Sequence, residues 1–310
     1  MKNDFDMRRM AELYRSGHNI MEFLRSSGGI NGNSVDSILV SYDLQAGSYT
    51  KNVEQSEYGV FMEGFSAAVA KVFDGLPHGS LLEAGVGEAT TLANVAARLA
   101  AASRRVYGFD ISWSRLHYAS CYAAKKDVPA TFFVGNLLDI PVLDDAFSLV
   151  YTSDSIEPNT GKEEVILREL YRIAKNYVVL LEPSYELGSG RTKQHIEKHG
   201  YVRDLYATAK RLGYKVVEWR LFEPCFNPNS QTALMVIEKD PNPADTPEEP
   251  LACPVCKAKT ASLGGHIFCG KCGLIFPVIA GIPCLLPEKG VLGGKFPEAC
   301  GQDGPLGGAG

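Results

Sequence analysis

Short runs of apolar residues alternate with amphipathic segments between positions 80 and 181. Five runs have the length of buried strands: Ser80–Ala84, Arg105–Phe109, Thr131–Val134, Phe147–Thr152 and Tyr177–Leu181. Helical spacing of apolar residues separates most of them, over Thr90–Ala102, Ser114–Lys125 and Lys162–Ala174. This alternation predicts an α/β domain with a doubly wound, mostly parallel sheet.

The last two strands are predicted to run in opposite directions. Lys215–Leu221 and Thr232–Ile237 have strand-like sequences, and a helix is predicted before them over about 192–212. Only ten residues, rich in Pro and Asn, join the two strands. Because parallel neighbours need about a dozen connecting residues or more, the sequence predicts a seven-stranded sheet whose last strand is reversed.

The remaining segments give the predicted domain organisation. Helical spacing over 4–26 and over 54–75 predicts an N-terminal helical cap at residues 1–53 and the α/β domain at 54–239. Pro-rich, acidic residues 240–250 indicate a linker, and a cysteine-containing module follows at 251–288. The Gly-rich residues 289–310 predict a flexible tail, since they can bury little apolar surface.

Composition and net charge limit the kinds of molecule that this chain is expected to bind. The chain has 310 residues and a net charge of −5, which weighs against a broad nucleic-acid-binding surface but leaves a local basic patch open. No apolar run approaches the ~18 residues of a membrane span. The first residues, MKNDFDMRRM, lack the apolar stretch of a secretory signal, so we expect a cytoplasmic protein.

A glycine-rich turn follows the first strand. The segment LLEAGVGEATTL, residues 81–92, ends a strand at Glu83, turns through Gly85 and Gly87, and opens a helix near Thr90. A dinucleotide site usually carries a third glycine where Thr90 stands, to admit a pyrophosphate. An acid before the turn suits instead a ligand with cationic groups and no phosphate, such as S-adenosylmethionine (SAM).

The next three strands also end in polar segments. Asp110 ends the second strand, where a carboxylate can accept hydrogen bonds from both ribose hydroxyls, and Asn136 and Leu137 after the third suit an adenine. The fourth strand ends in TSDSIEPN, residues 152–159. The predicted cofactor-binding residues are Glu83, Gly85, Gly87, Asp110, Ile111, Asn136, Leu137 and Ser153.

These segments resemble successive motifs of the class I SAM-dependent methyltransferases, and the resemblance covers about residues 55–240. It implies that Glu83 lies near the methionine part of SAM and that Asp110 binds the ribose. It also implies that Asn136 and Leu137 contact the adenine, and that residues around Ser153 line the methyl-transfer cleft.

The fourth motif departs from the family pattern. Ser148 stands where the family often has Asp, and Glu157-Pro158 stands where it often has Glu-His, which removes a candidate catalytic histidine. The motif also lacks the Asn-Pro-Pro-Tyr or Asp-Pro-Pro-Tyr tetrapeptide of enzymes that methylate planar amide or exocyclic amino nitrogens. Oxygen, carbon, sulfur and other nitrogen acceptors stay open.

Asp154 and Glu157 are the candidate general bases, because both follow the fourth strand. A base is needed only if the acceptor is protonated at neutral pH. Four further residues are candidates for the site, with simple packing or solvation as the alternative: Tyr42, Tyr49, His195 and His199.

Four of the eight cysteines form two CxxC pairs, Cys253 with Cys256 and Cys269 with Cys272. In a cytosolic chain this spacing predicts a metal site before a disulfide. Two such pairs complete a closed tetrahedral shell for one structural Zn²⁺, and a module of about forty residues needs such a site to fold.

The cysteine module continues as GLIFPVIAGIPCLLPE, residues 273–288. Together with the cysteine pairs it resembles the small zinc-ribbon family that activates tRNA, rRNA and release-factor methyltransferases as a separate subunit. The resemblance covers Leu251–Glu288 and implies a built-in companion that covers an apolar face of the catalytic domain.

Three functions stay open from the sequence. The first is SAM-dependent methylation of a small metabolite, sugar or lipid-linked intermediate, favoured by the negative net charge and the N-terminal cap. The second is methylation of RNA or protein with a built-in ribbon, favoured only by the ribbon's resemblance. The third is a non-catalytic SAM-binding scaffold. Nothing in the sequence indicates the oligomeric state.

Overall fold

A seven-stranded sheet forms the centre of the computed structural model, which describes residues 5–28, 33–76, 79–99, 105–240 and 245–301. Its strands are β1 (Ser80–Ala84), β2 (Arg105–Asp110), β3 (Ala130–Val134), β4 (Phe147–Ser153), β5 (Ala174–Pro183), β6 (Lys215–Leu221) and β7 (Thr232–Glu238). They lie in the order β3-β2-β1-β4-β5-β7-β6. β7 is antiparallel to both of its neighbours, β5 and β6, whereas β1 to β5 pair in parallel, so the predicted fold class and reversed last strand are confirmed.

Helices precede and follow β1. Those before it are α1 (Met7–Arg15), α2 (Ile20–Gly28), α3 (Val35–Leu44), α4 (Ser48–Gln55) and α5 (Tyr58–Asp74). Those after it are α6 (Thr90–Ala96), α7 (Trp113–Lys125), α8 (Glu163–Ile173), α9 (Gly190–His199), α10 (Leu205–Arg211) and α11 (Phe296–Ala299). Among the described residues, no helix is long and apolar enough to cross a membrane.

The two faces of the sheet bury separate apolar clusters. On one face, Phe73 of α5 and Leu92 of α6 pack against Leu81 of β1. On the other, Leu170 of α8 packs with Leu82 of β1 and Val150 of β4. Because β1 and β4 are buried on both faces, their sequences are largely apolar, which is why the sequence predicts their positions closely.

Some predicted helices are divided or shorter in the structure. The segment 4–26 forms α1 and α2, because the chain turns at Gly17 with φ +86°, a conformation that glycine adopts readily. The segment 192–212 forms α9 and α10, and Gly200 ends α9 with φ +64°. α6 ends at Ala96, and residues 100–104 lie outside the described residues.

The cysteine module forms two small sheets. One contains β8 (Ala261–Leu263), β9 (His266–Cys269), β10 (Leu274–Phe276) and β13 (Val291–Leu292), and the other is a hairpin of β11 (Val278–Ile279) and β12 (Ile282–Pro283). The module extends past residue 288, where the sequence predicts a flexible tail, because β13 pairs with β10 and α11 follows. Residues 302–310 lie outside the described residues.

This module packs along the β3 edge of the large sheet. The N–H of Leu285 donates to the carbonyl of Val134 at 2.9 Å, and that of Ala252 donates to the carbonyl of Pro141 at 2.9 Å. The side chains of Phe276 and Leu285 are fully buried in the same apolar cluster as Phe133. The module therefore shares a core with the α/β domain.

Candidate functional site

The carboxyl ends of the central strands open into a cavity of about 350 Å³. The predicted cofactor residues that line it are Glu83, Gly85, Asp110, Ile111, Asn136, Leu137 and Ser153. Asp154, Glu157, Tyr42, Tyr49 and His195 line it as well. Gly87 and His199 are not among the residues that line the cavity. The ring of His199 stacks on that of Tyr201, with 5.4 Å between the ring centres.

Gly85 lets the turn after β1 pack against the loop after β4. Its φ is +73°, and a Cβ atom here would lie 2.4 Å from the Cβ of Ser155. The Ser155 hydroxyl in turn donates to the carbonyl of Ala84 at 2.8 Å. Only glycine fits this close approach, which brings the two polar loops together at one edge of the sheet.

Asp110 is held by the backbone around it. Its carboxylate accepts hydrogen bonds from the N–H of Gly87 at 3.0 Å and from the N–H of Ser112 at 2.9 Å. These bonds use one lone pair on each oxygen and orient the carboxylate at the cavity wall. A carboxylate has further acceptor sites, so it can still bind ligand hydroxyls.

Arg115, which the sequence analysis missed, links Asp110 to the N-terminal cap. Its guanidinium lies 3.8 Å from Asp110 Oδ2. It also lies 4.9 Å from the ring centres of both Tyr42 and Tyr49, within the range of cation–π attraction. Its Nε is buried and has no hydrogen-bond partner among the described residues. The sequence hint was an arginine five positions after the acid that ends β2.

Glu88, also missed, holds the cap over the glycine-rich turn. Its buried carboxylate accepts hydrogen bonds from the N–H groups of Gly47 at 2.9 Å, Tyr49 at 3.3 Å and Thr50 at 2.7 Å. These N–H groups belong to the start of α4, where a helix has unpaired donors and favours negative charge. Tyr49 is thereby fixed above the cavity.

Glu83 is a buried acid at the cavity floor. Burial raises its pKa to about 8, although the Tyr151 hydroxyl donates a 2.6 Å hydrogen bond that opposes this shift. Without a ligand the group is therefore largely protonated at neutral pH. A cation that binds beside it favours the ionised form.

The loop after β4 gathers three acids. Loss of solvation inside the cavity raises the pKa of Asp154 to about 6, although the residue is exposed on the side that faces the cavity. Burial, and then the nearby carboxyls of Asp154 and Glu182, raise the pKa of Glu157 well above its usual range. Glu182, which the sequence analysis missed, accepts hydrogen bonds from the N–H groups of Ser155 and Ile156, both at 3.1 Å, and so shapes this loop.

Aromatic residues form the opposite wall of the cavity. The ring of Phe226 lies 5.0 Å from that of Tyr58 and 5.1 Å from that of Phe61. Tyr201 lines the cavity as well. None of these four was predicted, because they come from α5 and from the segments after α9 and β6, far apart in the sequence.

The four predicted metal ligands lie together. The sulfur atoms of Cys253, Cys256, Cys269 and Cys272 are all within 4.8 Å of one another, and those of Cys256 and Cys269 are 3.6 Å apart. Four thiolates at about 2.3 Å from one Zn²⁺ in a tetrahedron are separated by a similar distance. The donor set therefore fits zinc.

Comparison with known proteins supports the same interpretation of the fold. Residues 81–176 match the model of the methyltransferase domain family. The sequence finds no match among curated proteins. The structure of the cyclase SpnF superposes with a TM-score of 0.55 at 14% identity, and the match covers 69% of this chain and 98% of SpnF.

Two methyltransferase structures superpose more loosely. Magnesium protoporphyrin IX methyltransferase from Synechocystis, solved with bound SAH (S-adenosylhomocysteine, demethylated SAM), has a TM-score of 0.44 at 16% identity, covering 74% of this chain and 100% of that one. Geranyl diphosphate C-methyltransferase from Streptomyces coelicolor has a TM-score of 0.45 at 14% identity, covering 62% and 85%.

The matched domain and the strand-end cavity establish the enzyme class. The matched segment runs from β1 to the start of β5 and contains the turn, the second-strand acid and the polar loop after β4. The chain is a SAM-dependent methyltransferase with a Rossmann-like fold and a four-cysteine cluster.

Proposed function

We propose that the enzyme methylates a small-molecule acceptor: a small metabolite, a sugar or a lipid-linked intermediate. SAM would lie along the ends of β1, β2 and β3, with Asp110 at its ribose, Asn136 and Leu137 at its adenine, and Glu83 near its ammonium group. The acceptor would occupy the rest of the cavity, beside Ser153 and Asp154.

The observation that carries the proposal is that acidic side chains line the cavity beneath the cap. Among the described residues, one arginine and one histidine line it, against five acids: Glu83, Glu88, Asp110, Asp154 and Glu157. Such a lining offers a polyanion such as RNA few basic side chains, on which binding of its phosphates depends. The lining also disfavours acceptors that carry phosphate groups.

Catalysis in this cavity would rest on position and on proton removal. The cap residues Tyr42 and Tyr49 exclude water, and the strand ends align the acceptor with the SAM methyl group, which lowers the barrier through orientation. Asp154 or Glu157 takes the acceptor proton where one must leave. The pKa of Asp154, raised to about 6 by loss of solvation, suits general-base work near neutral pH.

For the cysteine module we propose a structural role with one Zn²⁺ per chain. The ion would fold the module by joining its two cysteine pairs. The module would then support the α/β domain through the shared core at Phe276 and Leu285. From Leu251 onwards the sequence has five Lys or Arg against three acids, which is too little positive charge for a nucleic-acid surface.

Methyl transfer from isotopically labelled SAM tests the proposed function. The full-length protein is incubated with the separated small-molecule, RNA and protein fractions of a cell extract. Once unreacted SAM has been removed by chromatography, we expect label in the small-molecule fraction alone, and loss of that label in the Asp154→Asn/Glu157→Gln double variant. Label in RNA or protein would overturn the proposal in favour of the second candidate, and no label in any fraction would favour the scaffold.

A further inference from the structure

Two carboxyls at the proposed acceptor end of the cavity lack a partner among the residues that the structure describes. The acids at the cofactor end are engaged: Glu88 caps α4 and Asp110 binds two backbone N–H groups. By contrast, within the described part of the chain the carboxyls of Asp154 and Glu157 make neither a hydrogen bond nor an ion pair, and both face the cavity. Asp154 is exposed to the cavity and Glu157 is half-buried, so both carboxyls are free to meet a ligand that supplies donors or positive charge.

Aromatic residues line the same cavity as these two carboxyls. The pKa of Tyr58 is raised first by burial and then by Asp154, and that of Tyr201 first by burial and then by Glu157, so each hydroxyl lies within electrostatic reach of an acid. Phe226 packs edge-on against Tyr58, at 5.0 Å between ring centres and 76° between planes. Aromatic faces beside carboxylates form the usual surroundings of a bound ammonium group.

The acidic groups of the cavity can neutralise a second cation in addition to SAM. SAM carries an ammonium, a sulfonium and a carboxylate, and Glu83 lies at the cofactor end to face the ammonium. Arg115, the cavity's one arginine, is engaged with Asp110 and with two tyrosine rings. Asp154 and Glu157 therefore remain to neutralise a charge on the acceptor.

We propose that the acceptor is an amine, bound as its ammonium ion between the Asp154 and Glu157 carboxyls and the rings of Tyr58, Tyr201 and Phe226. This inference rests on the proposed function, since it names the substrate class of the same cavity. A neutral hydroxyl acceptor would leave both carboxyls without a counter-charge. A phosphorylated or carboxylated acceptor would place like charges together.

The same carboxyls can accept the proton that the acceptor must lose before it is methylated. One carboxylate takes a proton from the ammonium group, which leaves a lone pair on the nitrogen. That lone pair bonds to the SAM methyl carbon while the carbon–sulfur bond breaks and its electron pair stays on the sulfur. The products are the methylated ammonium ion and SAH, whose sulfur is uncharged. After the products are released, the proton passes from the carboxyl to water.

Binding of matched small probes tests the inference. Full-length protein saturated with SAH is titrated with choline, a quaternary ammonium ion, and with 3,3-dimethylbutan-1-ol, its uncharged isostere. We expect choline to bind at least about tenfold more tightly. In the Asp154→Asn/Glu157→Gln variant the preference should disappear, while the exposed control Asp144→Asn should retain it. SAH affinity and melting temperature, measured in parallel, show that each variant is folded.

The labelled product gives a second, separable readout. If the labelled product, once separated from unreacted SAM, is retained on a cation exchanger at neutral pH, the acceptor is an amine. Label in the small-molecule fraction that passes through the exchanger, or equal binding of choline and its isostere, would overturn the amine assignment alone. Absence of small-molecule label would instead overturn the proposed function.

Discussion

The carboxylate of Glu88 lies 2.7 Å from the backbone nitrogen of Thr50. The first residue belongs to the turn after β1, and the second to the first turn of α4 in the N-terminal cap. Since Tyr49 stands between Gly47 and Thr50, this contact also fixes the ring that covers Arg115. The cap is therefore joined to the glycine-rich turn through one buried acid.

Replacing Glu88 should loosen the cap. Glu88→Ala leaves three N–H groups of α4 without their acceptor, and the loss of charged hydrogen bonds costs about 1.5–3 kcal/mol. We expect the free energy of unfolding in urea to fall by about this amount, and proteolysis within α4 to become faster. Glu12→Ala, on the exposed face of α1, is the control and should change neither. Unaltered proteolysis of α4 in Glu88→Ala would contradict the role assigned to this acid.

The cysteine cluster should hold one zinc ion per chain. Cys256→Ser should release the metal and unfold the module, because binding and folding are coupled in such sites. Elemental analysis of protein purified without chelator checks the stoichiometry. Cys121→Ser, on the exposed side of α7, should retain the full zinc content. A wild-type protein without zinc would show that the thiols serve another purpose.

Removal of the cysteine module should destabilise the α/β domain. Truncation before Leu251 exposes the apolar surface around Phe133 that Phe276 and Leu285 cover. We expect a lower melting temperature or lower solubility of the truncated protein, and only weak RNA binding by the full chain at physiological salt. Tight RNA binding that falls steeply with salt and vanishes on truncation would reverse this interpretation of the module.

The buried acid Glu83 should make stability depend on pH. Its pKa in the folded protein is about 8, above its pKa in an unfolded chain. At pH values between these two pKa values, the folded protein therefore holds a proton that the unfolded chain has lost. The stability that protonated Glu83 contributes is fully present at acid pH and is lost as the pH rises through 8. Over this range the free energy of unfolding falls by up to about 1.4 kcal/mol per pH unit. Glu83→Gln, which retains an acceptor for Tyr151, should flatten the curve of unfolding free energy between pH 5.5 and 8. An unchanged slope would show that Glu83 is not protonated in the folded protein.

The strands and the reversed β7 could be predicted because they depend on local patterns. A strand buried on both faces is largely apolar, and the ten residues between β6 and β7 are too few for a parallel crossover. The sequence spacing of the cysteines likewise predicts that their sulfur atoms meet, as they do.

Arg115, Glu88 and Tyr58 could not be predicted in their roles, because each depends on contacts between distant segments. Arg115 becomes part of the site only when the cap places Tyr42 and Tyr49 over it. The order beyond residue 288 was missed for the same reason. Val291 and Leu292 are too few to form a core alone, and they pair with a strand already fixed by the cysteine module.

The affinity for SAH is the most direct test of the cofactor site at the strand ends. Calorimetric titration of SAH into the wild type, Asp110→Ala and Asp110→Asn compares the carboxylate with its loss and with a neutral group of the same shape. Loss of two charge-assisted hydrogen bonds to the ribose should weaken binding in Asp110→Ala by about 1.5–3 kcal/mol or more, with a smaller loss in Asp110→Asn. Asp144→Asn should bind as the wild type does. Unchanged SAH affinity in a folded Asp110→Ala protein would contradict the assignment of Asp110 to the ribose.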